Sequence, residues 1–468
     1  MKKNQIIKLF GAGCFFAGAS PAFSGDQSPP NILFILTDDH GWSQTSGRMD
    51  PLIPDSMSSY LETPNMNRLA DGGIRFVSGY APAPLCTPTR RSILCGTTTA
   101  RSGGEFKSDW IPRDHITIPR ALKTANPDYR CAHFGKWGEL IASTPEECGY
   151  DISDGNTGNI TGGMPESFGF KNHNDGPEFF IDNNDPKRTF SVTGSTIDFM
   201  REQAAAKRPF FVQASFYSVH LSVVCKEETL KKYQRKGTPD RFYTPAWAAM
   251  MEELDSCIGQ LLDALDELGI AENTYVFLMA DNGGSPVIPG GDAERRPPNF
   301  PLTGAKQDLY EGGIRVPFMA RGPGVPAQSV CRTPVSGYDL LPTFFDLTNA
   351  GGGVLPETVD GSSMKPLLKN PAGNIERSDG ALFFHRPQKL CSAIRKGNYK
   401  LMLFWNSSGA IRARELYDLS SDPREAGADI YEANRETAAE LEKMLLNHLT
   451  ETGVYTPPAD DVSYNSGT

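Results

Sequence analysis

The chain has 468 residues, of which 46 are Lys or Arg and 56 are Asp or Glu, so its formal net charge is −10. Hydrophobic residues make up 39% and charged residues 22% of the chain, which is ordinary globular composition and excludes a disordered or fibrous protein. A net-acidic chain without a long Lys/Arg run lacks the basic surface that binds the phosphates of nucleic acids, so we expect no nucleic-acid partner.

The N-terminus has the three parts of a secretory signal. It begins with three lysines, continues with an apolar stretch over residues 9–19, and ends in the small residues Ala22 and Ser24. We therefore assign residues 1–24 to a signal peptide and expect a periplasmic or secreted protein; a disordered N-terminus is the alternative. The apolar stretch is too short for a stable membrane span.

Four apolar runs share one sequence pattern, in which a strand-like segment ends in polar or ionisable residues. They span residues 31–39, 129–136, 209–220 and 275–282. Continuous apolar runs are typical of strands buried on both faces of a mainly parallel sheet, and a helical pattern over residues 247–268 separates two of them. We predict an α/β fold: a large mixed, mainly parallel sheet flanked by helices on both faces. Ligands bind beyond the carboxyl ends of such strands, where all four polar clusters lie.

A stretch rich in Gly, Pro, Ser and Asn over residues 349–380 predicts a domain boundary. We expect a catalytic domain over residues 25–370 and a C-terminal subdomain over residues 371–468. Short strand-like pieces at 381–384, 392–394 and 399–405 precede an amphipathic helix for which Asn434 is the predicted cap. The subdomain is therefore predicted to be a small antiparallel sheet with one helix.

The acidic pairs that end two of the strands predict a metal site. Asp38 and Asp39 follow the first run, and Asp281 and Asn282 follow the last. Three carboxylates and one amide oxygen form a hard, all-oxygen site of the kind that calcium or magnesium prefers. The alternative is that these residues only cap helices or open turns.

The run Cys86-Thr87-Pro88-Thr89-Arg90 places a cysteine before a segment that can start a helix. Such a position favours anions and is expected to lower the pKa of the thiol, which indicates a reactive thiol or an anion site. The alternative is that Cys86 is a small buried apolar residue.

Residues 86–96 resemble the signature of the type I sulfatases, in which a cysteine in C-x-P-x-R is oxidised to formylglycine before folding. Further segments resemble the family in the family's order, at residues 31–42, 134–137, 273–284, 303–318 and 393–418. The resemblance implies the alkaline-phosphatase-like fold of the alkaline phosphatase superfamily. It also implies a calcium ion and a formylglycine-generating maturation enzyme as a partner.

The resemblance implies a role for each matching residue. The calcium ligands would be Asp38, Asp39, Asp281, Asn282 and the modified Cys86. Cys86 would also supply the nucleophile, which Arg90 would orient, while Lys136 and Lys306 would bind the sulfate and His220 would protonate the leaving alcohol. From the residues alone, Lys306 is also compatible with a surface lysine, His220 with a core histidine, and the Glu311–Arg315 pair with a structural role.

The sequence departs from the family pattern after Gly-Lys-Trp, where the family usually has a histidine and this chain has Gly138. Glu139 would repel a sulfate, and His115 or His385 could enter from other loops. Substrate contacts are expected from loops at residues 41–62, 104–115, 151–190 and 285–300, and from His385 and Arg386 in the C-terminal subdomain.

The sequence predicts an exported sulfatase that hydrolyses sulfate esters of a sulfated glycan. A phosphate or phosphonate ester hydrolase of the same superfamily, or a degenerate glycan-binding homologue without catalysis, are the alternatives. The chain has nine cysteines, among them Cys14 in the predicted signal. Removing Cys14 with the signal leaves eight, and committing Cys86 to formylglycine leaves seven, so at most three disulfides can form.

Overall fold

The computed structural model describes residues 28–171, 177–348 and 353–454. The predicted signal peptide over residues 1–24 lies outside the described residues. The strands are β1 (Asn31–Thr37), β2 (Ile74–Phe76), β3 (Gly79–Tyr80), β4 (Arg130–Gly135), β5 (Ile152–Ser153), β6 (Phe179–Ile181), β7 (Phe210–Ser215), β8 (Val223–Cys225), β9 (Thr274–Ala280), β10 (Phe318–Arg321), β11 (Ser329–Cys331), β12 (Val335–Ser336), β13 (Leu382–Arg386), β14 (Cys391–Lys396), β15 (Tyr399–Trp405) and β16 (Ile411–Asp418). The helices are α1 (Pro64–Asp71), α2 (Cys86–Cys95), α3 (Ile118–Ala125), α4 (Thr189–Ala205), α5 (Glu227–Lys236), α6 (Pro245–Glu267), α7 (Glu311–Ile314), α8 (Leu340–Leu347), α9 (Lys365–Lys369) and α10 (Arg435–Glu451).

The central sheet has eight strands in the order β11-β2-β10-β9-β1-β7-β4-β5. Strand β1 pairs in parallel with β7 and β9, and β4 pairs in parallel with β7 and β5. Strand β10 runs antiparallel to both of its neighbours. The predicted mixed, mainly parallel sheet is therefore confirmed, with the four predicted strands adjacent at its centre.

Side chains of β1 alternate between two cores, one on each face of the sheet. Leu33 and Ile35 pack in a core that contains residues of α1, α4 and α6. Ile32, Phe34 and Leu36 pack on the other face, against residues of α2, α3 and α8. Because both faces are covered, every residue of β1 is buried, which explains its continuous apolar sequence.

The C-terminal part is an antiparallel sheet in the order β13-β14-β15-β16. Helix α10 packs on this sheet, and Leu441 and Leu445 share a core with Ile394 and Leu403. The prediction of a small antiparallel sheet with one helix is confirmed. The cap differs from the prediction: Asn434 precedes α10, but its side-chain amide donates to Ile430 O at 3.0 Å and caps no helical N–H.

Buried ion pairs join the C-terminal sheet to the rest of the chain. Lys400 on β15 lies 3.0 Å from Glu311 Oε1 on α7 and 2.8 Å from Glu425 Oε1. Glu311 also pairs with Arg315 at 2.5 Å and accepts a hydrogen bond from the Tyr80 hydroxyl. Glu311 and Arg315 are thus engaged in the structural pair considered from the sequence.

All eight cysteines within the described residues are buried, and none of them forms a disulfide. Among the described helices, none is long and apolar enough to cross a bilayer.

Candidate functional site

The strand order of the central sheet brings the predicted polar clusters together. Strands β9, β1, β7 and β4 lie side by side, and all four run in the same direction. Asp281 directly follows β9, Asp38 follows β1, Lys136 follows β4, and His220 lies in the turn after β7. These residues therefore meet at one edge of the sheet, beyond the carboxyl ends of the strands.

Hydrogen bonds between the ends of β1 and β9 hold the acidic residues. The backbone N–H of Asp39 donates to Asp281 Oδ1 at 3.1 Å, and Asn282 Nδ2 donates to Asp39 Oδ1 at 2.8 Å. Asp39 has a φ of +54°, a left-handed conformation that aspartate tolerates better than most residues. These three residues and Asp38 are all buried.

Two oxygen atoms of this cluster have no partner. Within the described residues, Asp38 Oδ1 and Asn282 Oδ1 are buried and make no hydrogen bond. Burial and the neighbouring charge of Asp38 raise the pKa of Asp281 to about 7. Buried oxygens without donors beside mutually repelling carboxylates fit a bound cation, and an oxygen donor set suits calcium. One ligand atom from each of Asp38, Asp39 and His220 lies within 4.8 Å of the others, which places His220 beside this site.

Three cations surround the acids, and each is paired with a carboxylate. Arg90 Nη2 lies 2.7 Å from Asp281 Oδ2, Lys136 Nζ lies 2.5 Å from Asp38 Oδ2, and Lys306 Nζ lies 2.8 Å from Asp39 Oδ2. Burial alone would raise the pKa values of Asp38 and Asp39, but the cations and His220 outweigh it and lower both. Burial alone would lower the pKa of Lys306, but the combined attraction of Asp39, Cys86 and Asp38 outweighs it and raises this pKa.

Cys86 is the first residue of α2 and is only 3% exposed. The Thr89 hydroxyl donates to Ala83 O at 2.9 Å and accepts from Ala83 N–H at 3.1 Å, which fixes the approach to the helix. Burial raises the pKa of the Cys86 thiol, although Lys136 and Lys306 act in the opposite direction. The expected lowering of this pKa is therefore wrong, since desolvation exceeds the attraction of the nearby cations.

His220 lies in a tight turn after β7. Its backbone N–H donates to Tyr217 O at 3.0 Å, and its Nδ1 hydrogen bonds to Leu221 O. A carbonyl only accepts, so Nδ1 carries the proton and the lone pair of Nε2 lies 3.8 Å from Asp39 Oδ2. Burial, reinforced by Lys306, lowers the pKa of His220 to about 3.

The backbone explains why residue 138 is glycine. Gly138 has a φ of +146°, and a Cβ added there would lie 2.7 Å from Ile141 Cδ1 and 3.6 Å from Arg90 Cδ. The carboxylate of Glu139 accepts a hydrogen bond from Asn159 N–H. His115 stacks on Trp110 with ring centroids 3.5 Å apart. Neither Glu139 nor His115 is among the residues that contact the acids.

His385 and Arg386, the two predicted substrate contacts on β13, both have protein partners. His385 Nδ1 hydrogen bonds to Ser392 Oγ at 2.8 Å within the C-terminal sheet. Arg386 is 1% exposed, pairs with Glu105 Oε1 at 3.1 Å and donates to Gln307 O. Because Gln307 follows Lys306, Arg386 supports the segment that carries this lysine.

Sequence reasoning missed one further cation, Lys187. It is 3% exposed, and the charges that act on it are those of Asp38, Lys136, Asp39 and Lys306. It belongs to the 151–190 stretch predicted to be a substrate loop, but a single lysine there carries no motif that would reveal its position.

Comparisons with known proteins agree with this geometry. The family model "Sulfatase" matches residues 30–350, and the model "N-sulphoglucosamine sulphohydrolase, C-terminal" matches residues 305–454. A sulfatase from Formosa agariphila is 27% identical, with 99% of this chain and 97% of the relative covered. An N-acetylgalactosamine-6-sulfatase from Canis lupus familiaris is 28% identical over 86% of this chain and 75% of the relative. The solved structure of Ps i-CgsB superposes with a TM-score of 0.72 at 23% identity, covering 93% of this chain and 98% of that one.

Proposed function

The chain belongs to the sulfatase family and is a sulfuric ester hydrolase, and we propose that its substrates are the sulfate esters of an extracellular carbohydrate. The proposal of a carbohydrate is supported by Ps i-CgsB, which has also been solved in complex with k-i-k-neocarrahexaose. The N-terminal signal pattern supports export to the periplasm or beyond, where sulfated polysaccharides are found.

The observation that carries the proposed mechanism is the enclosure of Cys86, three carboxylates and three paired cations at one set of strand ends. Calcium would be held by Asp38, Asp39, Asp281 and Asn282, with the modified Cys86 as a further ligand, and would polarise the sulfate ester. Formylglycine at position 86 would supply a hydroxyl nucleophile. Unmodified Cys86 offers only a thiol, and burial raises the pKa of that thiol.

The chain's own residues then bind and orient the substrate. Lys136 and Lys306 are preorganised positive charges that would bind the sulfate group, whose leaving oxygen becomes more anionic as the ester bond breaks. Arg90 holds the end of α2 in place through Asp281 and through a 2.6 Å hydrogen bond to Lys136 O. His220 would deliver a proton from Nε2 to the leaving alcohol, which requires that atom to be protonated when the anionic substrate is bound.

The test is release of inorganic sulfate from a panel of defined sulfated oligosaccharides. We expect turnover by protein co-expressed with a formylglycine-generating enzyme, and loss of turnover in Cys86→Ala. Cys95→Ala, at the other end of α2, is the matched control for disturbance of a buried cysteine in this helix. Equal activity of Cys86→Ala and wild type would refute the mechanism.

Intact-protein mass spectrometry separates the alternatives. Conversion of Cys86 lowers the mass by the difference between CH₂SH and CHO. Fully converted protein that binds the sulfated panel without releasing sulfate would be a degenerate binding homologue. Converted protein that prefers phosphate or phosphonate esters over sulfate esters would be a phosphate or phosphonate ester hydrolase. N-terminal sequencing of the exported protein tests cleavage after Ser24.

A further inference from the structure

Lys187 lies in the short turn Pro186–Arg188 that leads into α4. A hydrogen bond of 3.1 Å joins the hydroxyls of Thr189 and Ser218, and Ser218 O accepts from Asp38 N–H at 3.0 Å. The turn is thereby fastened to the ends of β1 and β7, where the acids and His220 lie. Lys187 takes part in none of these hydrogen bonds, but it lies two residues before Thr189, through which the start of α4 is fastened to these strand ends.

The aliphatic part of Lys187 runs beside the predicted substrate loop. Lys187 Cδ lies 3.8 Å from the position that a Cβ on Gly163 would occupy, and Phe168 Cε2 lies 3.6 Å from the same position. Phe168 is 36% exposed and stacks on Phe180 with ring centroids 4.3 Å apart. The lysine thus lies between the acidic cluster and a partly exposed aromatic pair.

Lys187 differs from the other cations of the site in its lack of a partner. Arg90, Lys136 and Lys306 each contact a carboxylate, whereas Lys187 forms no ion pair or side-chain hydrogen bond anywhere in the described ranges. Because burial is not offset by a direct partner, it lowers the pKa of Lys187 to about 7, opposite to the shift of Lys306. Burial of a positive charge without a partner is unfavourable, and a bound anion would remove this penalty and keep Lys187 protonated.

The backbone at Lys187 adopts an unfavourable conformation. Lys187 has φ and ψ of +54° and +27°, and Arg188 has +53° and +22°, so two successive residues with side chains adopt the left-handed conformation. Such conformations persist where the surrounding structure imposes them, and they are frequent at ligand sites. The left-handed conformation of Lys187 and Arg188 is therefore imposed by the structure around the turn.

We propose that Lys187 is a further substrate-binding residue, whose ammonium group binds the sulfate of the substrate as a third cation beside Lys136 and Lys306. The inference rests on the proposed function, because it takes the sulfate ester to occupy the space next to Asp38 and Asp39. The aromatic pair Phe168–Phe180 on the same side would then lie near the sugar that carries this sulfate.

The direct test uses inorganic sulfate as the probe and requires no turnover. Calorimetric titration of sulfate into calcium-loaded Cys86→Ala protein gives the reference affinity. We expect Lys187→Met in this background to weaken sulfate binding by at least about tenfold, as expected for loss of one hydrogen bond between charged groups. Lys187→Arg is expected to retain most of the affinity.

Lys207→Met is the matched control. Lys207 follows the other end of α4, is exposed, and also has a left-handed φ, of +51°, so its substitution removes the same charge from a residue with the same kind of backbone conformation. We expect its sulfate affinity to equal that of the reference. If Lys187→Met does not fold, Lys187→Gln replaces it, with the unchanged thermal unfolding curve as the criterion of folding.

In the converted enzyme, KM for a sulfated oligosaccharide and the inhibition constant of sulfate should rise by the same factor in Lys187→Met. A purely structural role would lower kcat through loss of active protein and leave both constants unchanged. Sulfate affinity in a folded Lys187→Met or Lys187→Gln variant equal to the reference would overturn the inference. Absence of sulfate release by the wild type would refute the proposed function alone, since the titration decides the role of Lys187 independently.

Discussion

Replacing Gly138 by the histidine common in the family is expected to damage this protein. A residue with a side chain at a φ of +146° costs about 1–3 kcal/mol, because that region is open to glycine almost alone. Its Cβ would lie 2.7 Å from Ile141 Cδ1, so the end of this flexible side chain must rotate away. That rearrangement adds about 1 kcal/mol. We therefore expect Gly138→Ala to lower the free energy of unfolding by about 2–4 kcal/mol.

Gly138→His adds further atoms next to Arg90, whose Cδ lies 3.6 Å from the new Cβ. Overpacking of this kind costs about 1–3 kcal/mol more. The imidazole would also push the guanidinium away from Asp281, its partner at 2.7 Å. We expect kcat/KM for a sulfated oligosaccharide to fall by at least about tenfold, so restoring the family residue lowers turnover.

Urea unfolding of three alanine variants separates the contributions. Gly155 has a φ of +81° with nothing within 4 Å, so Gly155→Ala measures the backbone cost alone, about 1–2 kcal/mol. Gly194 is exposed within α4 and also has open space, so Gly194→Ala should stabilise by about 0.5–1 kcal/mol. The reasoning is refuted if Gly138→Ala is as stable as wild type, or if Gly138→His is more active.

Three further outcomes are expected. Calcium at 100 times its Kd should raise the free energy of unfolding of chelator-treated wild type by about 2.7 kcal/mol. Asp38→Asn should lose most of this stabilisation, and thermal unfolding at increasing calcium concentrations measures both proteins. Burial raises the pKa of Glu253 from 4.5 to about 7. The folded state therefore binds a proton more tightly than the unfolded state, and the protein loses stability as the pH rises between these two values. The free energy of unfolding of Glu253→Gln should match that of wild type near pH 4.5 and exceed it by about 1–3 kcal/mol above pH 7, and a difference that does not depend on pH would contradict this assignment. Lys400→Met leaves Glu425 buried without its ion-pair partner and removes one of the two cations of Glu311, so it should cost about 3–5 kcal/mol in urea unfolding. Lys396→Met, which removes an exposed pair, should cost about 0–1 kcal/mol.

The sheet and the acidic cluster were predictable because one physical rule governs both. Strands buried on two faces have continuous apolar sequences, and the carboxyl ends of parallel neighbours meet at one edge. Asp38, Lys136 and Asp281 follow such strands directly, so their convergence follows from the sequence pattern. Lys306 follows no strand, and only the family resemblance assigned it to the site.

Other features depend on contacts between distant segments and have no local signal. Lys187 reaches the site from an irregular turn, and Arg386 is directed inward by Glu105, which lies far from it in sequence. The fourth strand of the C-terminal sheet, β16, is largely exposed or half-buried over residues 411–415, so its apolar pattern is weak. The sign of the Cys86 pKa shift depends on the degree of burial, which a helix-start motif does not reveal.

The buried, unpaired cysteines can report local opening of the structure. Besides Cys86, six of them lie in different elements: Cys95 in α2, Cys131 in β4, Cys225 in β8, Cys257 in α6, Cys331 in β11 and Cys391 in β14. A buried thiol reacts with an alkylating reagent only when its surroundings open, so labelling rates measured peptide by peptide give the opening free energy of each element. Native-state alkylation would therefore resolve the stability of the two sheets separately, without introducing any label by mutation.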